Sequence, residues 1–140
     1  MVGLDFGTTF SGFTYCSVAD KQDLQTYNEW HGEVGQFKTN TVLQYDDEYI
    51  NVKLWGAPAL VKKPNRRNSS VRDNRPVELF KLHLGDLSDN KKPWLPEGLE
   101  YKKAITDYLR EIGKVQIKKK IIYFYVGLFT YIHICINLGD

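Results

Sequence analysis

The chain has 140 residues, of which 42% are hydrophobic and 26% charged, and its formal net charge is only +2. That is enough chain for one domain with a real core, and short for a two-lobed enzyme that closes over a nucleotide. The near-balanced charge gives no sign of a nucleic-acid-binding field, and the apolar content is too high for a disordered chain.

In chain order, Val2, Leu4 and Phe6 alternate with Gly3 and Asp5, and Phe10, Gly12, Phe13, Tyr15, Cys16 and Val18 read as a second strand. The chain therefore opens on a predicted hairpin. Leu24 to Trp30, Thr41 to Tyr45 and Tyr49 to Trp55 are strand-like, and a meander continuing that hairpin is expected. A short helical piece is predicted from Ala57 to Lys63, ended by Pro64, and residues 65–76 read as an exposed loop of Asn, Arg and Ser. Val77 to Leu84 returns to apolar character and stops at Gly85. The clearest helix is Leu99 to Ile112, where Tyr101, Ile105, Tyr108, Leu109 and Ile112 recur at helical spacing and Gly113 supplies a stop. Its tyrosine-rich stripe reads as a core face.

The two cysteines, Cys16 and Cys135, stand at opposite ends without CxxC spacing, so neither a zinc site nor a disulfide framework is expected. With a strand starting at Val2 there is no room for a signal peptide, and the expected compartment is the reducing cytoplasm.

The hairpin tip carries more chemistry than a turn needs. Asn-Gly or Asp-Gly would suffice for a tight turn, whereas Gly7 is followed by Thr8 and Thr9. Backbone N–H groups in a glycine-containing bend, with hydroxyls beside them, can cradle a phosphate. Asp5 nearby could hold a hydrated magnesium ion, which keeps its waters and takes only one or two carboxylates. A plain hairpin tip is the other reading of the same residues.

The run from Val2 to Gly12 resembles the first phosphate motif of the actin-like ATPases, most closely that of the heat-shock protein 70 family and its divergent, expanded fungal-type members. The segments Trp55 to Leu60, Pro76 to Asp86 and Tyr101 to Lys114 are similar to the same relatives, so the resemblance covers about the first 114 residues. Glycerol-kinase-like sugar kinases share Asp-x-Gly-Thr-Thr, but they usually place an arginine shortly after the serine, where this chain has Gly12 and Phe13.

The resemblance implies an α/β fold: a partial actin-like (ribonuclease H-like) nucleotide-binding lobe over residues 1–118, a mixed sheet with a flanking helix. It implies ATP and Mg²⁺ as cofactors, with Gly7, Thr8 and Thr9 on the nucleotide phosphates and Phe10 in place of an aromatic packed beside them. It makes Asp5 the carboxylate that orients the magnesium water shell. Lys81 becomes the lysine that approaches the terminal phosphate and positions the attacking water, as suits a reaction governed by positioning and electrostatics. For a full-length parent it implies unfolded polypeptide and co-chaperones as partners, and no nucleic acid. The second phosphate loop and the opposing lobe of that family have no counterpart here, so the expectation is an N-terminal portion of the ATPase domain, inactive by itself. The alternatives are a sugar kinase of the same superfamily and a membrane-anchored, non-catalytic binding module.

Other constellations point less far. Asp86, Ser88 and Asn90 have the spacing of a calcium loop, but Lys91 stands where glycine is required. The basic run Lys62 to Arg67 suits a nuclear address, an anionic contact or a solvated loop, and Asn68-Ser69-Ser70 matters only in a secreted protein. His31, His83 and His133 have no evident metal partners. Behind Lys118-Lys119-Lys120, the apolar tail of residues 119–140 is open to three readings: read-through sequence, a transmembrane anchor or a buried strand pair.

Overall fold

The computed structural model describes residues 1–17, 19–61 and 75–118. Strand β1 (Val2–Phe6) and strand β2 (Phe10–Tyr15) form the opening antiparallel hairpin, in register from Val2 opposite Tyr15 to Phe6 opposite Ser11. The alternation behaves as a half-buried strand should: Phe6 is buried, while Gly3 and Asp5 face solvent.

The meander breaks up after that. Strand β3 (Gln25–Thr26) adds to β2, β4 (Glu29–Trp30) and β5 (Glu33–Val34) pair with each other, and β6 (Thr39–Asn40) returns to β2 beside the hairpin tip. A third sheet is centred on β7 (Val42–Tyr45), with β8 (Val52–Trp55) on one side and β9 (Val77–Glu78) on the other. Among the described residues all the pairings are antiparallel. One stretch of chain links the first and third sheets: β6 pairs with Phe10 and Ser11, Thr41 intervenes, and β7 pairs with β8 and β9.

Helix α1 (Tyr101–Lys118) packs on β7, β8 and a 3-10 turn over Phe80–Leu84. Of its predicted stripe Tyr108 and Ile112 are buried, joined by Ala104 in the core beside Phe6, Leu43, Val77 and Phe80, while Tyr101, Ile105 and Leu109 are half-buried and Asp107, outside the stripe, is buried. The Tyr108 ring sits at the centre, 5.9 Å from Phe6, 5.8 Å from Trp55 and 6.0 Å from Phe80. A second aromatic knot joins Phe13, Tyr27 and Trp30, with centroids 4.6–5.5 Å apart.

Mixed α/β architecture is thus present, as antiparallel sheets and one α-helix among the described residues. Several boundaries differ from expectation. Gly113 does not stop the helix, which runs on to Lys118. A helical glycine costs about 1 kcal/mol relative to alanine, and the next turn recovers it by packing Val115 on the core and pairing Lys114 with Glu111. The helix predicted over Ala57 to Lys63 is one 3-10 turn, Ala57–Leu60. Leu24 to Trp30 is two short strands in different sheets, because Tyr27 turns inward onto Phe13 between them.

Candidate functional site

The tip of the first hairpin is held from below by one residue. The Thr41 hydroxyl donates to the Gly7 carbonyl at 3.0 Å, and the Thr41 amide donates to the Thr9 carbonyl at 2.8 Å. Both carbonyls therefore turn towards Thr41. Because the peptide bonds are trans, the Thr8 N–H, in the same peptide plane as the Gly7 carbonyl, points away from Thr41. Gly7 is obligatory here, since a β-carbon on it would lie 2.2 Å from the Phe10 carbonyl oxygen. Thr8 is half-buried, and Thr9 and Phe10 are exposed.

Lys81 arrives at the same place from the other end of the domain. Strand β9 pairs Glu78 with Val42, next to Thr41, and Leu79 then takes a left-handed conformation at φ 57° to open the 3-10 turn. Phe80 plugs into the core and Lys81 swings back to donate to the Phe6 carbonyl at 2.8 Å. Its Nζ lies 5.5 Å from the centre of the Phe6 ring. The ammonium thus stands one residue from Gly7, although 75 residues separate Phe6 from Lys81. It belongs to a 3-10 turn and is half-buried, so it is not a solvated strand lysine.

Asp5 precedes the loop on β1, and the strand pleat directs it to the face opposite Phe6. Its carboxylate meets Lys38 at 2.6 Å, with both side chains about half exposed. Among the described residues no group of three or more His, Cys, Asp or Glu side chains gathers as a metal site. A single half-exposed carboxylate is the donor set that a magnesium ion held through water would need, and to serve it Asp5 would have to release Lys38. The structure therefore gathers Gly7, Thr8, Thr9 and Lys81 around the end of β1. Asp5 is adjacent in sequence and engaged with Lys38, and Phe10 lies at the exposed edge of the loop.

Four supporting residues were not singled out from sequence: Lys38, Thr41, Ser11 and the hydroxyl of Tyr108. Ser11 Oγ and Thr41 Oγ1 are 2.7 Å apart in the interior, and the Tyr108 hydroxyl donates to the Asn40 carbonyl at 3.1 Å. Burial pushes the Tyr108 phenol up to about 12, against the opposing influence of the nearby Ser11 and Thr41 hydroxyls. The helix stripe announced Tyr108 as a core residue, and nothing in its spacing announced the polar end.

Elsewhere, His83 bonds the Pro93 carbonyl at 3.0 Å and stacks on Tyr101, a structural role. A separate open cleft of about 540 Å³ lies between Trp30, Trp55, Pro58 and Glu111, and none of the predicted site residues lines it. Among the described residues no helix is long and apolar enough to cross a membrane. The apolar tail, Lys62 to Arg67 and Asn68-Ser69-Ser70 lie outside the described residues.

Comparison with known family models, curated proteins and solved structures finds no match to this chain.

Proposed function

We propose that this chain forms one wall of an ATP site of the actin-like, heat-shock protein 70 type, with the Gly7–Thr9 loop on the phosphates and Lys81 beside the terminal one. The observation that carries the reading is the convergence of Lys81 on the Phe6 carbonyl at 2.8 Å, at the mouth of a glycine-threonine loop far away in sequence. A cation near the Thr8 amide, which turns away from Thr41, is the start of what a polyphosphate requires. Mg²⁺ would be held through water by Asp5, and the nucleotide is the direct partner. Unfolded polypeptide and co-chaperones belong to the same reading at the level of the full-length parent, in the cytoplasm.

A sugar kinase shares the loop but usually places an arginine shortly after the serine, where this chain has Gly12 and Phe13. Here the backbone at Gly12 is pressed against the Phe37 carbonyl, and a β-carbon would lie 2.5 Å from that oxygen. A side chain has no room at that position, which favours the chaperone branch.

The test is titration of the isotope-labelled full chain with Mg-ATP, followed by amide NMR. Shifts concentrated at Gly7, Thr8, Thr9 and Lys81, and weakened by Lys81→Ala, are expected. No shift in the loop at millimolar Mg-ATP would sink the reading, and shifts produced by a hexose with unchanged Mg-ATP response would transfer it to the sugar kinases.

A further inference from the structure

We infer that Thr41 and Tyr108 are positioning residues for the Gly7–Thr9 loop: a hydroxyl ladder runs from the middle of helix α1, under the first sheet, to the loop's carbonyls. The inference deepens the function proposed above and rests on that reading only for the identity of the ligand.

The ladder has consecutive rungs. Tyr108 donates to the carbonyl of Asn40, the residue before Thr41, at 3.1 Å. Thr41 spends its one hydroxyl hydrogen on the Gly7 carbonyl at 3.0 Å, so in the 2.7 Å bond between the two hydroxyls Ser11 donates and Thr41 accepts. Its amide takes the Thr9 carbonyl at 2.8 Å. Thr41 thereby grips both ends of a three-residue loop, and the Tyr108 bond fixes the backbone on which Thr41 sits. Ser11, Thr41 and Tyr108 are each no more than 1% exposed, so water cannot replace these bonds when one is lost.

The consequence concerns preorganisation. Amides cradle an anion without further cost only if they are already aimed, and a loop that must be ordered on binding spends part of the interaction on that ordering. Turning the Gly7 carbonyl down towards Thr41 is the same event as turning the Thr8 amide the other way. A carbonyl released from Thr41 is free to flip, and that would present an oxygen where a phosphate oxygen belongs.

The test uses the full chain and substitutions that change hydroxyls with little change in shape. Thr41→Val and Tyr108→Phe should each weaken binding of Mg-pyrophosphate by about tenfold, the value of one buried hydrogen bond. Both should also introduce conformational exchange at the Gly7, Thr8 and Thr9 amides in the ligand-free protein. Thr41→Ser, which keeps the hydroxyl, should restore both. Tyr45→Phe is the control, because it removes a comparable buried bond from the same helix, to Asp107, away from the loop. It should lower stability and leave the loop amides quiet. If Thr41→Val lowers stability as the control does and leaves the loop amides unchanged, the inference is overturned. If the unmodified chain binds no pyrophosphate, the ATP reading fails, and the ligand-free amide measurement alone decides whether the ladder positions the loop.

Discussion

Tyr45 on β7 donates its phenolic hydrogen to Oδ2 of Asp107 on α1 at 2.9 Å, and this buried bond ties the third sheet to the helix. Lys103 reaches the same oxygen at 2.5 Å, and Arg110 takes the other one. Burial raises the Asp107 carboxyl, but hydrogen bonds from Lys103, Tyr45 and Arg110 outweigh it and hold the group below its usual range. The same pairing, added to burial, holds the Tyr45 phenol well above its ordinary value.

A pH dependence follows. A carboxyl whose folded-state pKa is depressed stabilises in full above its unfolded value, about 3.9, and that stabilisation is lost as pH falls through the lower folded value. Asp107→Asn should therefore cost about 1–3 kcal/mol at neutral pH, and the deficit should shrink on acidification below about pH 4. Urea denaturation at both pH values measures it. A deficit of the same size throughout would mean that shape, not charge, holds Asp107.

Glycines on the opening hairpin should respond unequally to a methyl group. At Gly7 the new β-carbon meets a backbone oxygen at 2.2 Å, whereas at Gly3 the nearest atom is Thr14 Oγ1 at 3.4 Å, an ordinary contact. Gly7→Ala should destabilise by about 1–3 kcal/mol, as forced overpacking does, and should distort the loop amides. Gly3→Ala should leave the melting temperature nearly unchanged. Equal effects at the two positions would show that the tip can relax, and that the loop is not a rigid cradle.

Reading of this chain from sequence succeeds where a period has room to repeat. The alternation from Val2 to Phe6 and the stripe from Tyr101 to Ile112 both span several residues, and both elements form; the helix face is turned slightly from the expected one, with Ala104, Tyr108 and Ile112 buried and Tyr101, Ile105 and Leu109 half-buried. Two-residue strands such as Gln25–Thr26 and Thr39–Asn40 have no period to detect. The candidate site divides in the same way. Gly7, Thr8 and Thr9 are contiguous and legible, and only a family resemblance points to Lys81. Thr41 matters because the chain crosses from one sheet to another at that residue, a fact of three-dimensional pairing with no local signature. Lys38 is selected likewise: it is an ordinary loop lysine until the fold carries it to Asp5.

The Asp5–Lys38 pair offers a clean separation of structural from functional effects. Exposed ion pairs contribute about 0–1 kcal/mol, and both side chains are about half exposed. Asp5→Asn should leave the unfolding midpoint nearly where it was. If Asp5 orients the metal's water shell, the substitution should at the same time abolish the part of ATP binding that depends on added magnesium, while metal-free ATP binding persists. Calorimetry with and without magnesium reads the difference, and an unchanged magnesium dependence would remove Asp5 from the site.

The last prediction is that the full chain hydrolyses Mg-ATP no faster than buffer. At this loop the described residues offer the Thr8 amide, turned away from Thr41, and the ammonium of Lys81. Rate acceleration in phosphoryl transfer demands an attacking water held in line and a site from which bulk solvent is excluded. Thr9 and Phe10 are exposed, so phosphates resting on this loop keep water on their far side. Lys81 is itself engaged with the Phe6 carbonyl and would have to turn from it to reach a γ-phosphate. A second wall would supply what is missing: closure, a fixed position for the water, and a reason for Lys81 to leave the carbonyl. Phosphate release from Mg-ATP, compared between the unmodified chain and Lys81→Ala, is the measurement. Two traces indistinguishable from buffer are expected, whereas steady turnover lost on Lys81→Ala would show that a single wall already makes a working ATPase.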